Sequence, residues 1–321
     1  MIDPQEIPLL RYLLLLRVHK PLLVLPPYLA LELAYATSVM ISERLPSSQL
    51  KPWKKLITAW EAANPISEDR RTRLIHNPPQ SVWPLDLAWL PYRVKQTYGH
   101  GEIISCELKL FGRSASHELF LELILPVLEA AGLTPDRRWS RPNSVWGGFH
   151  LENVYVARGR QWEPVVEDGQ VDFSVRPGTR QWCDGLDLTV VPAGHTHRLR
   201  WYTPYAHTPE PPQFRKREHL CRVAQENAPG MSALVQALAV RLEKLAPEIS
   251  SDWMLGIEDL AMQVGNNTEH VSCVPKYWPG TVWGDQELSY VPEQLMPILR
   301  LASMLHIGFH THVGCGNFRL V

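Results

Sequence analysis

The residue types best suited to chemistry gather at the end of the chain, in His306-Ile-Gly308-Phe309-His310-Thr311-His312-Val-Gly314-Cys-Gly316. Glycines let backbone N–H groups face outward and come close to an anion, which is how many proteins cradle phosphate; the same glycines also serve a tight turn, and both readings stand. His310 and His312 add imidazoles that, with an ordinary pKa near 6.5, would protonate and hold phosphate increasingly below neutral pH. Phe309 offers a ring that either stacks on a base or packs inward. His306, at the end of the preceding helix, caps carbonyls or lies at a binding surface. His195-Thr-His197 and His310-Thr-His312 are both H-x-H, and on a strand two such histidines share a face and can bind zinc. Neither has a carboxylate beside it, so no metal site and no cofactor are expected. Basic residues cluster at Arg70, Arg71 and Arg73, at Arg137, Arg138 and Arg141 beside Trp139 and Trp146, and at Arg215, Lys216 and Arg217.

Those clusters matter because 32 Lys and Arg balance 33 Asp and Glu, for a net charge of −1. Binding to a polyanion must then come from local patches rather than from a general positive coat. A length of 321 residues implies two domains. The 28 prolines cut most apolar runs short and argue against an all-helical bundle. Five cysteines, odd in number and without a C-x-x-C pair, suggest neither a disulfide framework nor a zinc module, and fit a reducing compartment. Asp3 and Glu6 stand where a secretory signal would be basic. The apolar stretch 9–36 is interrupted by Arg11, Arg17, His19, Lys20 and prolines, so a cytoplasmic protein is expected.

The elements that must position these residues follow from periodicity. Positions 11–19 read as a buried strand and 29–42 as a helix. Residues 46–101 read as long loop with helical pieces near 54–63 and one hidden strand. A strand over 103–111, a helix over 116–131 and a strand over 149–157 follow. The second half repeats the order: a strand region in 186–205, a helix over 217–246 with a break at Pro229-Gly230, and a helix over 253–264. Strands near 270–274 and 284–290, a helix over 292–305 and a last strand over 317–321 complete it. The expected fold is α+β, two tandem ferredoxin-like β-α-β-β-α-β domains at 1–165 and 166–321, with 158–185 as connector and a C-terminal glycine-rich loop.

The last helix, the loop Gly308–Gly316 and the terminal strand resemble the C-terminal glycine-rich signature of the CRISPR precursor-RNA-processing endoribonucleases of the RAMP superfamily. Leu25-Pro-Pro-Tyr-Leu29, Leu110-Phe-Gly-Arg113, Gly147-Gly-Phe149, Arg200-Trp-Tyr-Thr-Pro204 and Gly280-Thr-Val-Trp-Gly284 agree with that family's layout in order along the chain. The resemblance implies two RRM-like domains that grip CRISPR repeat RNA and cleave it without metal. The RNA's own 2′-OH attacks the adjacent phosphate, giving a 2′,3′-cyclic phosphate and a 5′-OH, and the protein stays with the crRNA and other CRISPR-associated subunits. Such a step needs a base for the 2′-OH and charge or hydrogen bonds on the phosphate oxygens.

The chain departs from the family after the Pro-Tyr turn, where relatives carry a glycine, an arginine and a catalytic histidine. Here the segment is Leu29-Ala-Leu-Glu-Leu-Ala-Tyr35, and no histidine occurs between His19 and His76. The resemblance therefore leaves His19, Tyr35 and His310 as catalytic candidates. The expected RNA contacts are those of the loop, His306, Gly308, Phe309, His310, Thr311, His312, Gly314 and Gly316, with Arg137, Arg138, Arg141, Arg215, Lys216 and Arg217 as local basic patches that an RNA-binding chain near neutrality needs. If no base survives, the expected role becomes a non-catalytic crRNA-binding subunit capping a multisubunit effector.

Overall fold

The computed structural model describes residues 2–64, 77–92, 94–135, 143–186, 188, 196–209, 217–249 and 251–321, apart from the side chains of 217–220 and 251. They form two compact units, Pro8–Asp184 and Met1–Ile7 with Gly185–Val321.

The first unit is built on β1 (Leu9–Val18), whose alternating residues Tyr12, Leu14, Leu16 and Val18 are buried under the helices. A short ribbon pairs β2 (Leu22–Val24) with β4 (Thr97–Gly99). The main sheet runs β3 (Leu87–Tyr92), β5 (Ile103–Phe111), β1, β6 (Phe149–Arg158), β7 (Gln161–Glu167) and β8 (Gln170–Val171), all antiparallel. Helix α1 (Leu29–Arg44) follows β1, and α2 (Leu50–Ala63) packs on it. Between β5 and β6, α3 (His117–Leu119) runs through a π-helical turn, Phe120–Ile124, into α4 (Leu125–Leu133). The chain order β1-α1-β3-β5-α4-β6 with the sheet order β3-β5-β1-β6 is the ferredoxin-like arrangement. The hidden strand is thus Leu87–Tyr92. The expected boundary at 165/166 falls inside β7, because the glycine-punctuated segment read as a connector continues the sheet instead.

Helix α1 carries apolar residues around its whole circumference and is buried on every side: all residues from Leu29 to Ile41 are covered, Glu32, Thr37 and Ser38 among them. Its hydroxyls are satisfied within the helix, Thr37 donating to Leu33 O and Ser38 to Ala34 O at 2.7 Å each. Its buried Glu32 carboxylate accepts from Val145 N at 2.8 Å and from the Ser144 hydroxyl, tying the helix to the approach of β6.

On the sheet, Arg11 Nε donates to Glu107 Oε1 at 2.6 Å and the Tyr92 hydroxyl donates to Glu107 Oε2. Burial alone would raise the Glu107 pKa, but the charges of Arg11 and Lys109 and these hydrogen bonds outweigh it and hold the carboxyl at about 2, against an ordinary 4.5. A folded-state pKa below the unfolded one gives stability that is present above pH 4.5 and lost as pH falls toward 2. The shift corresponds to about 3 kcal/mol. Urea titrations of wild type and Glu107→Gln should therefore differ most near neutral pH and converge progressively between pH 4.5 and 2.

The second unit repeats the plan. Its elements are β9 (Thr196–Tyr205), α5 (Arg217–Glu226), α6 (Met231–Leu245), α7 (Ile257–Met262), β10 (Gly265–Asn267), β11 (Val271–Cys273), β12 (Val282–Ser289), α8 (Met296–Leu305) and β13 (Phe318–Leu320). The sheet order β10-β12-β9-β13, with β11 also on β12, is again ferredoxin-like. The expected break at Pro229-Gly230 separates α5 from α6. Cysteines 52 residues apart meet here, with the Sγ atoms of Cys221 and Cys273 3.0 Å from each other. Among the described residues no helix is long and apolar enough to cross a membrane.

Candidate nucleic-acid interface

The glycine loop is a set of left-handed turns braced on the end of β9. After α8, positive φ recurs at His306, Gly308, His310, Gly314 and Gly316. Phe309 N donates to Ala206 O at 3.0 Å and Gly316 N to Pro204 O at 2.8 Å, while Ile307 N closes the loop on Gly316 O at 3.1 Å. Gly314 N donates to Thr311 O and Cys315 N to His310 O. These amides are turned inward, so the glycines act here as packing and turn residues. A Cβ at Gly308 would meet the Tyr205 ring at 2.7 Å and Ala206 O at 2.8 Å. Of the two readings left open by the sequence, these bonds favour the turn at Gly314 and Gly316, whose amides are taken by Thr311 O within the loop and by Pro204 O of β9.

The imidazoles are likewise committed. His306 is fully buried, its Nδ1–H shared between Gly314 O at 3.2 Å and Cys315 O at 3.1 Å, which removes it from any surface role. His310 is 8% exposed and its Nε2–H donates to Pro209 O at 3.0 Å. Burial pushes its pKa down to about 4, with the hydrogen bond to Pro209 opposing. Burial also holds His312 well below the ordinary value, helped by the neighbouring His310 ring and by the positive charges of Lys244 and Arg241. Both are neutral at pH 7 and do not supply the protonated phosphate ligands expected from a pKa of 6.5. Thr311 is buried, and Phe309, 46% exposed, is the loop side chain that faces solvent. An NMR titration should show the His310 ring resonances flat from pH 8 to 5.5, whereas an exposed histidine moves through its midpoint there.

Sequence reading missed Arg241 and Lys244, which α6 places beside the loop. Arg241 Nε donates to Leu305 O at 3.1 Å, a cation on the C-terminal carbonyls of α8. Their spacing of three on one helix was the available signal. His310 and His312 lie edge to face, ring centroids 5.9 Å apart, on a 3-10 turn rather than a strand. His195 lies outside the described residues. Among those described, no three His, Cys, Asp or Glu side chains come together as a metal site.

The catalytic candidates of the first unit separate by burial. Tyr35 is fully buried, packed edge-on against Trp60 at 5.4 Å and Trp146 at 6.2 Å, so it is core and lines no surface. Its place on the apolar helix α1 was the clue. His19 follows β1 and is half-buried, with its backbone N bonded to Gly148 O. Its Nε2 meets Gly132 O at 3.3 Å. A carbonyl only accepts, so in the neutral ring the tautomer that fits this contact carries its hydrogen on Nε2 and its lone pair on Nδ1. Arg70, Arg71, Arg73, Arg137, Arg138, Trp139, Arg141, Arg215 and Lys216 lie outside the described residues, as does the side chain of Arg217.

Two ferredoxin-like units in tandem, the second closed by a glycine loop, define the class. Over 98% of its length the chain is similar to a chain of a partial Cas6-RT-Cas1–Cas2 complex, at 12% identity and a TM-score of 0.52, and it spans 46% of that longer chain. It shares the fold of the part of that chain it covers. Similarity over 98% of the chain also extends to a Cas6 product complex (16% identity, TM-score 0.47) and to Thermus thermophilus Cas6 (14% identity, TM-score 0.45), each covered over 99% of its own length. No family model and no curated protein matches the chain.

Proposed function

We propose that this protein binds CRISPR repeat RNA in the cytoplasm, cleaves precursor crRNA without metal, and remains with the product in an effector complex. The observation that carries the reading is the tandem ferredoxin-like fold, ending in the glycine loop and shared along the chain with a Cas6-bearing structure. His19 is the base of choice in this reading, since Nδ1 is an acceptor and the side chain is not enclosed. It takes the proton of the 2′-OH as that oxygen bonds to phosphorus and the P–O5′ bond breaks, and the departing O5′ takes a proton from water. Phe309 stacks on a base, and Lys244 beside the loop meets phosphate.

A second reading, a crRNA-binding subunit without cleavage, is favoured by the burial of Tyr35 and the absence of histidine from α1. Incubation of the purified protein with its cognate repeat RNA in EDTA, reading binding and product ends together, separates them. Discrete cutting to a cyclic phosphate supports the endoribonuclease. Tight binding without cutting supports the second reading, and neither binding nor cutting overturns both.

A further inference from the structure

The open face of the second sheet carries a pocket that the cleavage reading does not use. Along β9 the outward residues are Thr196, Arg198, Arg200 and Tyr202, all exposed, while His197, Leu199, Trp201 and Thr203 face the core. Arg319 of β13 pairs with Arg200 in register and is also exposed. On the other side Asp285 of β12 pairs with Arg200, which grips it through two bonds, Nε to Oδ1 at 2.8 Å and Nη2 to Oδ2 at 3.0 Å. Those bonds hold the Asp285 carboxyl below its ordinary range and fix the guanidinium plane.

The strand irregularity supplies the concavity. Tyr202 N and Thr203 N both donate to Asn317 O, at 3.0 and 3.2 Å, so β9 bulges just where Tyr202 leaves the sheet. Tyr202 is 51% exposed. Across from it Trp283, half-exposed, is backed by Trp278 with ring centroids 5.5 Å apart. Arg198, Arg200, Tyr202, His270, Trp283 and Asp285 line a pocket of about 500 Å³.

We propose that this pocket is a second RNA site, taking a nucleotide of an unpaired strand on the open face of the C-terminal sheet. Two rings on the central strands β9 and β12 provide stacking surface that any base can use, and Arg198 and Arg319 flank them as phosphate partners. Three arginines against Asp285 and Glu287 leave the face net positive in a chain whose overall charge is −1, which disfavours a basic peptide, and the two stacking rings favour a nucleic-acid strand over an acidic peptide. The pocket lies on the sheet face, whereas the glycine loop is braced on the end of β9, so the site would hold RNA beyond the segment gripped by the loop. The inference rests on the RNA-binding reading above, but not on cleavage.

Hexauridylate carrying one 4-thiouridine, titrated into the full-length protein and then photocrosslinked, tests it. Crosslinks should map to peptides containing Tyr202 or Trp283. Tyr202→Ala with Trp283→Ala should weaken hexauridylate binding by about 10- to 100-fold, and Tyr202→Phe with Trp283→Phe should retain it, because stacking needs a ring rather than a hydroxyl. Arg198→Ala with Arg319→Ala should flatten the dependence of log K on log salt by about 1.4, two single-strand phosphate contacts. Phenylalanine variants that keep the wild-type melting temperature guard against misfolding as the cause. Crosslinks confined to the loop around Phe309, or wild-type affinity in the alanine variant, overturn this site while leaving RNA binding intact. Failure of both hexauridylate and repeat RNA to bind overturns the RNA-binding reading with it.

Discussion

Gly316→Ala is expected to destabilise the C-terminal unit by about 3–5 kcal/mol, enough to leave much of it unfolded at physiological temperature. Three costs add. The residue sits at φ +80°, where a Cβ is strained by about 1 kcal/mol or more. That Cβ would stand 1.8 Å from the backbone oxygen of Ile307 and 2.8 Å from its nitrogen, so the backbone itself must move. Moving it breaks the Ile307–Gly316 and Gly316–Pro204 hydrogen bonds that hold the loop to β9. Gly256→Ala is the control: its φ is +76° but nothing lies within 4 Å of the added carbon, so only the strain of about 1 kcal/mol is expected. Denaturant melts of the two variants should differ by several-fold in lost stability. Equal, small losses would mean that the loop yields easily and that its glycines are not there for packing. RNA binding would fall in Gly316→Ala as a consequence of misfolding, which the melts identify.

His19→Gln is expected to slow cleavage of repeat RNA by about 10²- to 10⁴-fold while changing RNA affinity by no more than about twofold. The reason is geometric. Glutamine can keep a donor toward Gly132 O, the partner that His19 Nε2 meets at 3.3 Å, but has no nitrogen that takes a proton at neutral pH. Added imidazole should restore part of the rate in His19→Gly, which separates a proton acceptor from a side chain that merely braces the backbone at Gly132. Single-turnover cleavage at saturating protein makes the measurement independent of binding. A wild-type rate in His19→Gln removes His19 from the chemistry and, with Tyr35 sealed in the core, turns attention to Nδ1 of His310 or to the non-catalytic reading.

The strands and helices were legible because their signals are local. The apolar run of β1, the alternation over β5, the apolar spacing of α1 and the proline-glycine break between α5 and α6 all depend on residues within one or two turns of each other. The unit boundary was less legible. Glycines at 159, 169 and 185 read as a linker, yet the first two sit in turns around β7 and β8, where pairing with β6 decides the outcome. In the loop, residue type pointed to anion binding, and a glycine's amide direction is invisible until its partner strand is placed. The same holds for His310 and His312, whose ordinary pKa presumes water that the fold removes.

What the sequence by itself determined is the α+β class, the tandem ferredoxin-like plan and the position of the glycine loop, because apolar period and turn residues act over a few residues. Tertiary structure alone decided which of the singled-out groups reach solvent. It buried Tyr35 and His306, turned the amides of Gly314 and Gly316 inward, left His19 and Phe309 accessible, and gathered Arg198, Arg200, Tyr202, Trp283 and Arg319 from three strands onto one face. Exposure, amide direction and cross-strand neighbours are set by contacts between segments tens of residues apart, and no local pattern encodes them.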